Sequence, residues 1–263
     1  MQISNKRQSK ARSLQLGQSN LRSFLFSINR KLTVYGSERH GNRVNPLEEL
    51  VFIILSAQTE SYLYTKTFKN LRRRFPTWKL LLAAKETEIE AAIREGGLAK
   101  KKAGQLKNAL RKITADTGRP SLGFLSNLSN AEARQYLMTL PGVGLKSASC
   151  ILLYSFDRSV FPVDTHVWRI CRRLGLAPPV AKPSERMQME LEALIPETLR
   201  YSLHVNLVSH GRQTCMTYWP KCEQCVLAKV CPSKNTPDLV WANFRQPSGF
   251  WAQGATSTQD NQG

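Results

Sequence analysis

The stretch LPGVGLKSA, residues 140–148, sets a proline and two closely spaced glycines between two segments of helical pattern. Upstream, SNAEARQYLMTL opens with Ser129 and Glu132 three apart, a capping box, and proline at 141 closes the helix. Downstream, Leu145 to about Phe156 reads as the next helix. Helix, PGVG, helix is a helix–hairpin–helix pattern. Gly142 and Gly144 permit tight backbone geometry, so the amides of the hairpin, Val143 among them, and of the following helix can face a phosphate oxygen. Such contact is independent of base sequence. Lys146 falls in the first turn of that helix, where the positive end of the dipole disfavours an ammonium. Two roles suit it on this pattern alone: a phosphate-binding cation, or an amine nucleophile of the Schiff-base kind.

The remaining chain reads as all-α. From Pro46, PLEELVFIILSAQ opens with proline and two acids and then turns almost wholly apolar, as a buried central helix does. A further helix runs from Thr165 past Arg173, with Asp164 as its N-cap. The helix amides hold such a carboxylate ionised, able to position an amine, accept a proton or face developing positive charge. No run of alternating apolar and polar residues flanked by hairpin turns calls for a strand.

The chain has 263 residues, 38 Lys and Arg against 19 Asp and Glu, and a formal charge of +19. A polyanion is the simplest partner for such a surface, nucleic acid before membrane. LVFIIL at 50–55, the longest strongly apolar run, is far too short to span a bilayer, and no lipidation motif stands out. Residues 1–44 hold nine Lys and Arg and the single acid Glu38. Residues 1–19 therefore read as a flexible basic arm, with a composition that also suits an organelle transit peptide. Without such targeting, a prokaryotic cytoplasm or nucleoid is the expected location. From Lys100 to Lys112 run six basic residues and no acid, the pattern of an edge that follows a nucleic-acid backbone. Residues 234–263 read as a disordered tail, with Trp241, Phe250 and Trp251 as candidate docking points.

Four of the six cysteines, Cys215, Cys222, Cys225 and Cys231, lie within 17 residues as C-x6-C-x2-C-x5-C. Clustering of this kind is a metal site in a reducing compartment rather than a disulfide framework. A zinc ribbon normally has two C-x2-C knuckles; the single one here leans toward an iron–sulfur cluster. Cys150 and Cys171 sit among apolar neighbours and read as buried, inert thiols.

LPGVGLKSA, then VDTH at 163–166, then HGRQTC with the four-cysteine spacing, together resemble endonuclease III, the iron–sulfur DNA glycosylase family of the helix–hairpin–helix superfamily. LSAQT at 55–59 fits as well, and the likeness covers roughly residues 45–235. The resemblance implies a two-lobed all-α fold. A six-helix lobe covers 45–157; a second lobe, 20–44 with 158–233, carries a [4Fe–4S] cluster on Cys215, Cys222, Cys225 and Cys231. It implies a monomer acting on double-stranded DNA with damaged bases or abasic sites, Lys146 as nucleophile at C1′, and Asp164 supporting the glycosylase step from across a cleft. Gln58 and Leu98 match residues that fill the hole left by a flipped base. Lys100, Lys102, the hairpin residues Gly142, Val143 and Gly144, and Lys221 then grip DNA. Three departures bear on lesion choice and grip. Ser61 stands where an acid is common, Leu145 where arginine is common, and the cluster loop keeps Lys221 alone beside Tyr218 and Trp219.

Overall fold

The computed structural model describes residues 19–36, 38–177 and 183–234. The N-terminal arm up to residue 18, the tail from 235 and its three aromatics lie outside the described residues. All regular structure among the described residues is helical. Chain order is α1 (19–32), α2 (Pro46–Ser56), α3 (Ser61–Arg74), α4 (Trp78–Ala83), α5 (Glu86–Ile93), α6 (Ala99–Thr117), α7 (Asn130–Met138), α8 (Leu145–Ser155), α9 (Thr165–Arg173), α10 (Glu185–Leu194) and α11 (Glu197–Gln213). Short 3-10 turns at Thr33–Tyr35, Arg94–Gly96, Gly123–Asn127 and Cys222–Gln224 join them.

Local chemistry explains the boundaries. The Asn45 side chain accepts from the amides of Leu47 and Glu48, and Pro46 occupies the first turn of α2. The capping box at Ser129 and Glu132 is formed at α7. Asp164 Oδ1 accepts from Val167 N at 2.8 Å, so the aspartate does cap α9. Gly118 ends α6 in the left-handed region, φ +76°.

The chain divides into two compact units. Ser37–Val163 with Gln188–Glu192 forms one; Asp164–Met187, with the described residues up to Gly36 and from Ala193 on, forms the other. In the first, α2 is the central helix, packed on α3, α6 and α8 with Leu50, Val51, Ile54 and Leu55 buried. Among the described residues this unit holds seven α-helices rather than six. The shortest of them is α4, six residues started by Thr77, whose hydroxyl accepts from Leu80 N.

The expected boundaries shift as well. Residues 38–44 and 158–163 belong to the helical unit, not with the cysteines, and specific bonds hold them there. Arg43 lays its guanidinium over Phe52 and Phe68, 5.0 and 4.5 Å from the ring centroids, and Ser155 Oγ donates to Arg43 O. Arg158 donates to the carbonyls of Leu125, Ser126 and Leu128. Gln188–Glu192 of α10 joins the same unit through the buried Arg134–Glu192 ion pair, the Phe161 amide on Glu192, and Gln188 Nε2 donating to Ser149 Oγ.

In the second unit α9 lies against α11 so closely that a Cβ on Gly211 would meet His166 Cβ at 2.7 Å. Tyr35 anchors the start of the chain to this pair, bonding Thr214 Oγ1 at 2.8 Å and His210 Nδ1 at 2.9 Å. No helix among the described residues is long and apolar enough to cross a membrane.

Candidate active site

The hairpin is built around a β-turn closed by Val143 N donating to Leu140 O at 3.1 Å. Pro141 and Gly142 take its central positions, and Gly142 has φ +86°, the value a type II turn requires there. A Cβ on Gly142 would also press on the Gln105 side chain at 2.9 Å. Gly144 differs. Its backbone is extended, φ −103° and ψ −177°, and a Cβ there would meet nothing within 4 Å. Neither backbone strain nor internal packing calls for glycine at 144, and the space beside it is open to an approaching group. Gly144 is the N-cap of α8 and has no side chain to accept from the helix amides. The Val143 side chain is buried and its amide closes the turn.

Lys146 is half-buried one residue into α8. Near it lies Glu49, which is 0% exposed. Glu49 Oε2 accepts from Arg43 N at 2.5 Å, while Oε1 has no hydrogen-bond partner among the described residues. Burial raises the Glu49 carboxyl to about 7, against the lowering pull of the Arg43 amide and the charges of Lys146, Arg39 and Arg43. Sequence reading treats Glu49 as an ordinary first-turn acid. The signal it passes over is an acid inside PLEELVFIIL, a helix buried on nearly every side.

Asp164 and Lys146 belong to different units. Around Asp164, the α9 residue Arg169 donates from Nε and Nη2 to Cys215 O at 2.9 and 2.7 Å and from Nη2 to Gly211 O at 2.9 Å. The helix capped by Asp164 is thereby tied to the segment that leads into the cysteine loop.

Gln58 and Leu98 are both exposed and both left-handed, each with φ +52°. Leu98, 49% exposed, initiates α6. Non-glycine residues in this region carry strain of about 1 kcal/mol or more, and such strain gathers at functional sites. The basic run that follows is thinner at the surface than its composition implies. Lys102 is corrected as a direct DNA contact: it is 2% exposed, with Nζ donating to Leu55 O, Thr59 Oγ1 and Gly96 O at 2.8, 2.6 and 2.9 Å. Its aliphatic stem fills the core beside α2, and burial pushes its ammonium down from the usual lysine range. Lys107 is likewise turned inward, onto Ala84 O, and Lys112 is paired with Asp116. Lys100, Lys101 and Arg111 stay exposed.

Cys215, Cys222, Cys225 and Cys231 line one pocket that Arg173, His210 and Leu227 also border. Among the described residues no three His, Cys, Asp or Glu side chains converge as a single bound ion demands. Four thiols around one pocket are the donor set that a four-iron cluster takes, one cysteine per iron. Donors to sulfur are in place: Arg173 Nη1 reaches Cys215 Sγ at 3.1 Å, and Leu227 N reaches Cys225 Sγ at 3.4 Å. Burial raises the Cys225 and Cys231 thiols, a cost that metal binding reverses by holding thiolates. Arg173 also donates to the carbonyls of Met216 and Thr217, fixing the loop on which Lys221, Tyr218 and Trp219 stand exposed. Cys150 and Cys171 are buried as expected, and desolvation pushes Cys171 up to about 12.

A hairpin that offers backbone amides at the open start of a helix defines the chain as a helix–hairpin–helix protein. The HhH-GPD superfamily of base excision DNA repair proteins matches residues 51–197, and the chain belongs to that superfamily. Endonuclease III of Synechocystis sp. is 33% identical over 189 residues, covering 72% of this chain and 81% of that protein. An Arabidopsis thaliana protein with a provisional DNA glycosylase assignment is 39% identical over 166 residues, 63% of this chain; the match spans only 56% of that relative's length. A solved non-covalent complex of endonuclease III with DNA matches at a TM-score of 0.70 and 27% identity, over 82% of this chain and 96% of that one.

Proposed function

We propose that this chain is a bifunctional DNA glycosylase and AP lyase that excises oxidised pyrimidines from duplex DNA. The observation that carries the reading is Lys146, half-buried in the first turn of α8, two residues after an N-cap glycine with open space around it. A phosphate against the α8 amides anchors the strand there, and the lysine two residues on reaches the sugar of an extruded nucleotide. Lys146 Nζ, as the free amine, attacks C1′. The bond from C1′ to the base breaks, and the base leaves with the electron pair and takes up a proton. The sugar opens to a Schiff base on Lys146, a proton is lost from C2′, and β-elimination breaks the C3′–O bond, which nicks the strand 3′ of the lesion. Hydrolysis then frees the lysine. Asp164, whose carboxylate accepts from the Val167 amide, supports the positive charge that develops on the sugar and the proton transfers that follow. Glu49 supplies a second carboxyl near Lys146, suited to take the proton the amine must lose. Gln58 and Leu98 occupy the space vacated by the nucleotide.

The four cysteines hold a [4Fe–4S] cluster, which when bound supplies a cross-link that shapes the 215–231 loop. Iron and acid-labile sulfide should therefore accompany the anaerobically purified protein; a zinc-only, colourless preparation would refute this assignment. Function is tested with duplexes that carry one oxidised pyrimidine, one alkylated purine or one abasic site. Base release with a 3′ nick is expected for the first and a nick for the third. Base release without a nick would replace the lyase reading with a monofunctional one.

A further inference from the structure

Lys102 is too well built to be an incidental buried lysine. Its stem and ammonium are removed from solvent, and removal of a charge from water is tolerated only when its hydrogen-bonding capacity is met. All three ammonium protons are met: by Leu55 O in the last turn of α2, by Thr59 Oγ1, and by Gly96 O. Thr59 Oγ1 in turn donates to Gly96 O at 2.6 Å. From its other side Gly96 is pressed onto α3, where a Cβ would meet Thr67 Oγ1 at 2.9 Å. Three separate segments thus close on one ammonium.

Two of those segments carry the exposed left-handed residues. Gln58 directly precedes Thr59, and Leu98 follows Gly96 by two. A left-handed leucine and glutamine at the surface persist only where neighbouring bonds over-determine the backbone. Local backbone bonds hold each turn separately, Thr59 N on Ser56 O and Lys102 N on Leu98 O, and the Lys102 ammonium joins the two.

We propose that Lys102 is a positioning residue that locks the Gln58 and Leu98 turns into one rigid two-pronged element, so that both side chains enter the duplex as a unit when a nucleotide is extruded. The inference rests on the glycosylase reading above. It also differs from a phosphate-contact role. Loss of an exposed phosphate-binding lysine lowers the salt slope of DNA binding by about one, whereas loss of a buried one leaves the slope unchanged.

The test compares two substrates: excision from a duplex with one oxidised pyrimidine, and borohydride trapping on a single-stranded abasic oligonucleotide, which needs no wedge. Lys102→Met should lower the duplex-to-single-strand rate ratio by at least about tenfold, without a change in salt slope. In a Gln58→Ala, Leu98→Ala background the same substitution should lower the ratio little further, because its effect runs through those side chains. Equal loss on both substrates, full additivity, or a salt slope reduced by one would overturn the proposal. Thr59→Val removes one arm of the node and leaves Lys102 in place. It covers the case in which Lys102→Met does not fold; a ratio unchanged in Thr59→Val would be equally fatal. A wild-type chain inactive on both substrates overturns the glycosylase reading itself, a result distinct from a lost ratio.

Discussion

Gly142 and Gly144 look alike in LPGVG, yet the structure gives them different jobs. Gly142 needs its positive φ, so Gly142→Ala should cost about 1–2 kcal/mol of stability by denaturant titration. Gly144→Ala should leave stability within about 0.5 kcal/mol, because its conformation is open to any residue and its surroundings are empty. The same substitution should weaken DNA binding, since a methyl group would stand where a phosphate approaches; unchanged affinity would contradict the hairpin's role. Glu49 gives a pH signature. Its carboxyl is raised from 4.5 to about 7, so the fold retains a proton that the unfolded chain releases. Stability should fall as pH rises through that window, by roughly 3 kcal/mol in all. Glu49→Gln should flatten this part of the stability–pH curve; parallel curves for the two proteins would show that the carboxyl is not held protonated. The sequence identifies Glu49 as an acid near a helix start but not as a buried one, because burial is set by what packs around α2. For Lys102 the same blindness is complete: counted by charge, it is one more cation in a basic run.

At the level of elements, caps and breakers carry most of the readable information. Asn45 with Pro46, Ser129 with Glu132, Pro141 and Asp164 each mark a boundary by chemistry confined to a few neighbouring residues, and α2, α7, α8 and α9 begin where those signals stand. The short helix α4 and the attachment of residues 158–163 were not legible. Both depend on distant partners, such as the Leu125 and Leu128 carbonyls that receive Arg158. Close packing of α9 on α11 is likewise a tertiary fact, invisible in VDTH and HGRQTC taken separately. It carries its own prediction. Gly211→Ala would force a methyl onto His166 Cβ, part of the packed base of the side chain rather than its mobile end. The helices must separate, at a cost of about 1–3 kcal/mol read from the urea midpoint. Arg169 spans this same contact to Cys215, so iron retention should fall with stability.

Across the whole molecule, the formal charge of +19 fits a polyanionic partner, but the structure redistributes it. Lys102 and Lys107 turn inward, and the cluster loop is left with Lys221 beside two exposed aromatics. On the proposed DNA-binding reading, the basic N-terminal residues are the remaining candidate for electrostatic grip. Deletion of residues 1–18 should weaken DNA binding and flatten its dependence on salt; an unchanged slope of log K against log salt would remove the arm from the interface. Lys146 as the attacking amine is open to covalent capture. The protein is incubated with a duplex carrying an oxidised pyrimidine or an abasic site, borohydride is added, and a cross-linked complex is sought on a denaturing gel. Wild type should be trapped on both duplexes, and Lys146→Ala, folded by its unchanged melting profile, on neither. A wild-type protein that is not trapped, or a Lys146→Ala variant that still is, would contradict the assignment of this lysine as the nucleophile.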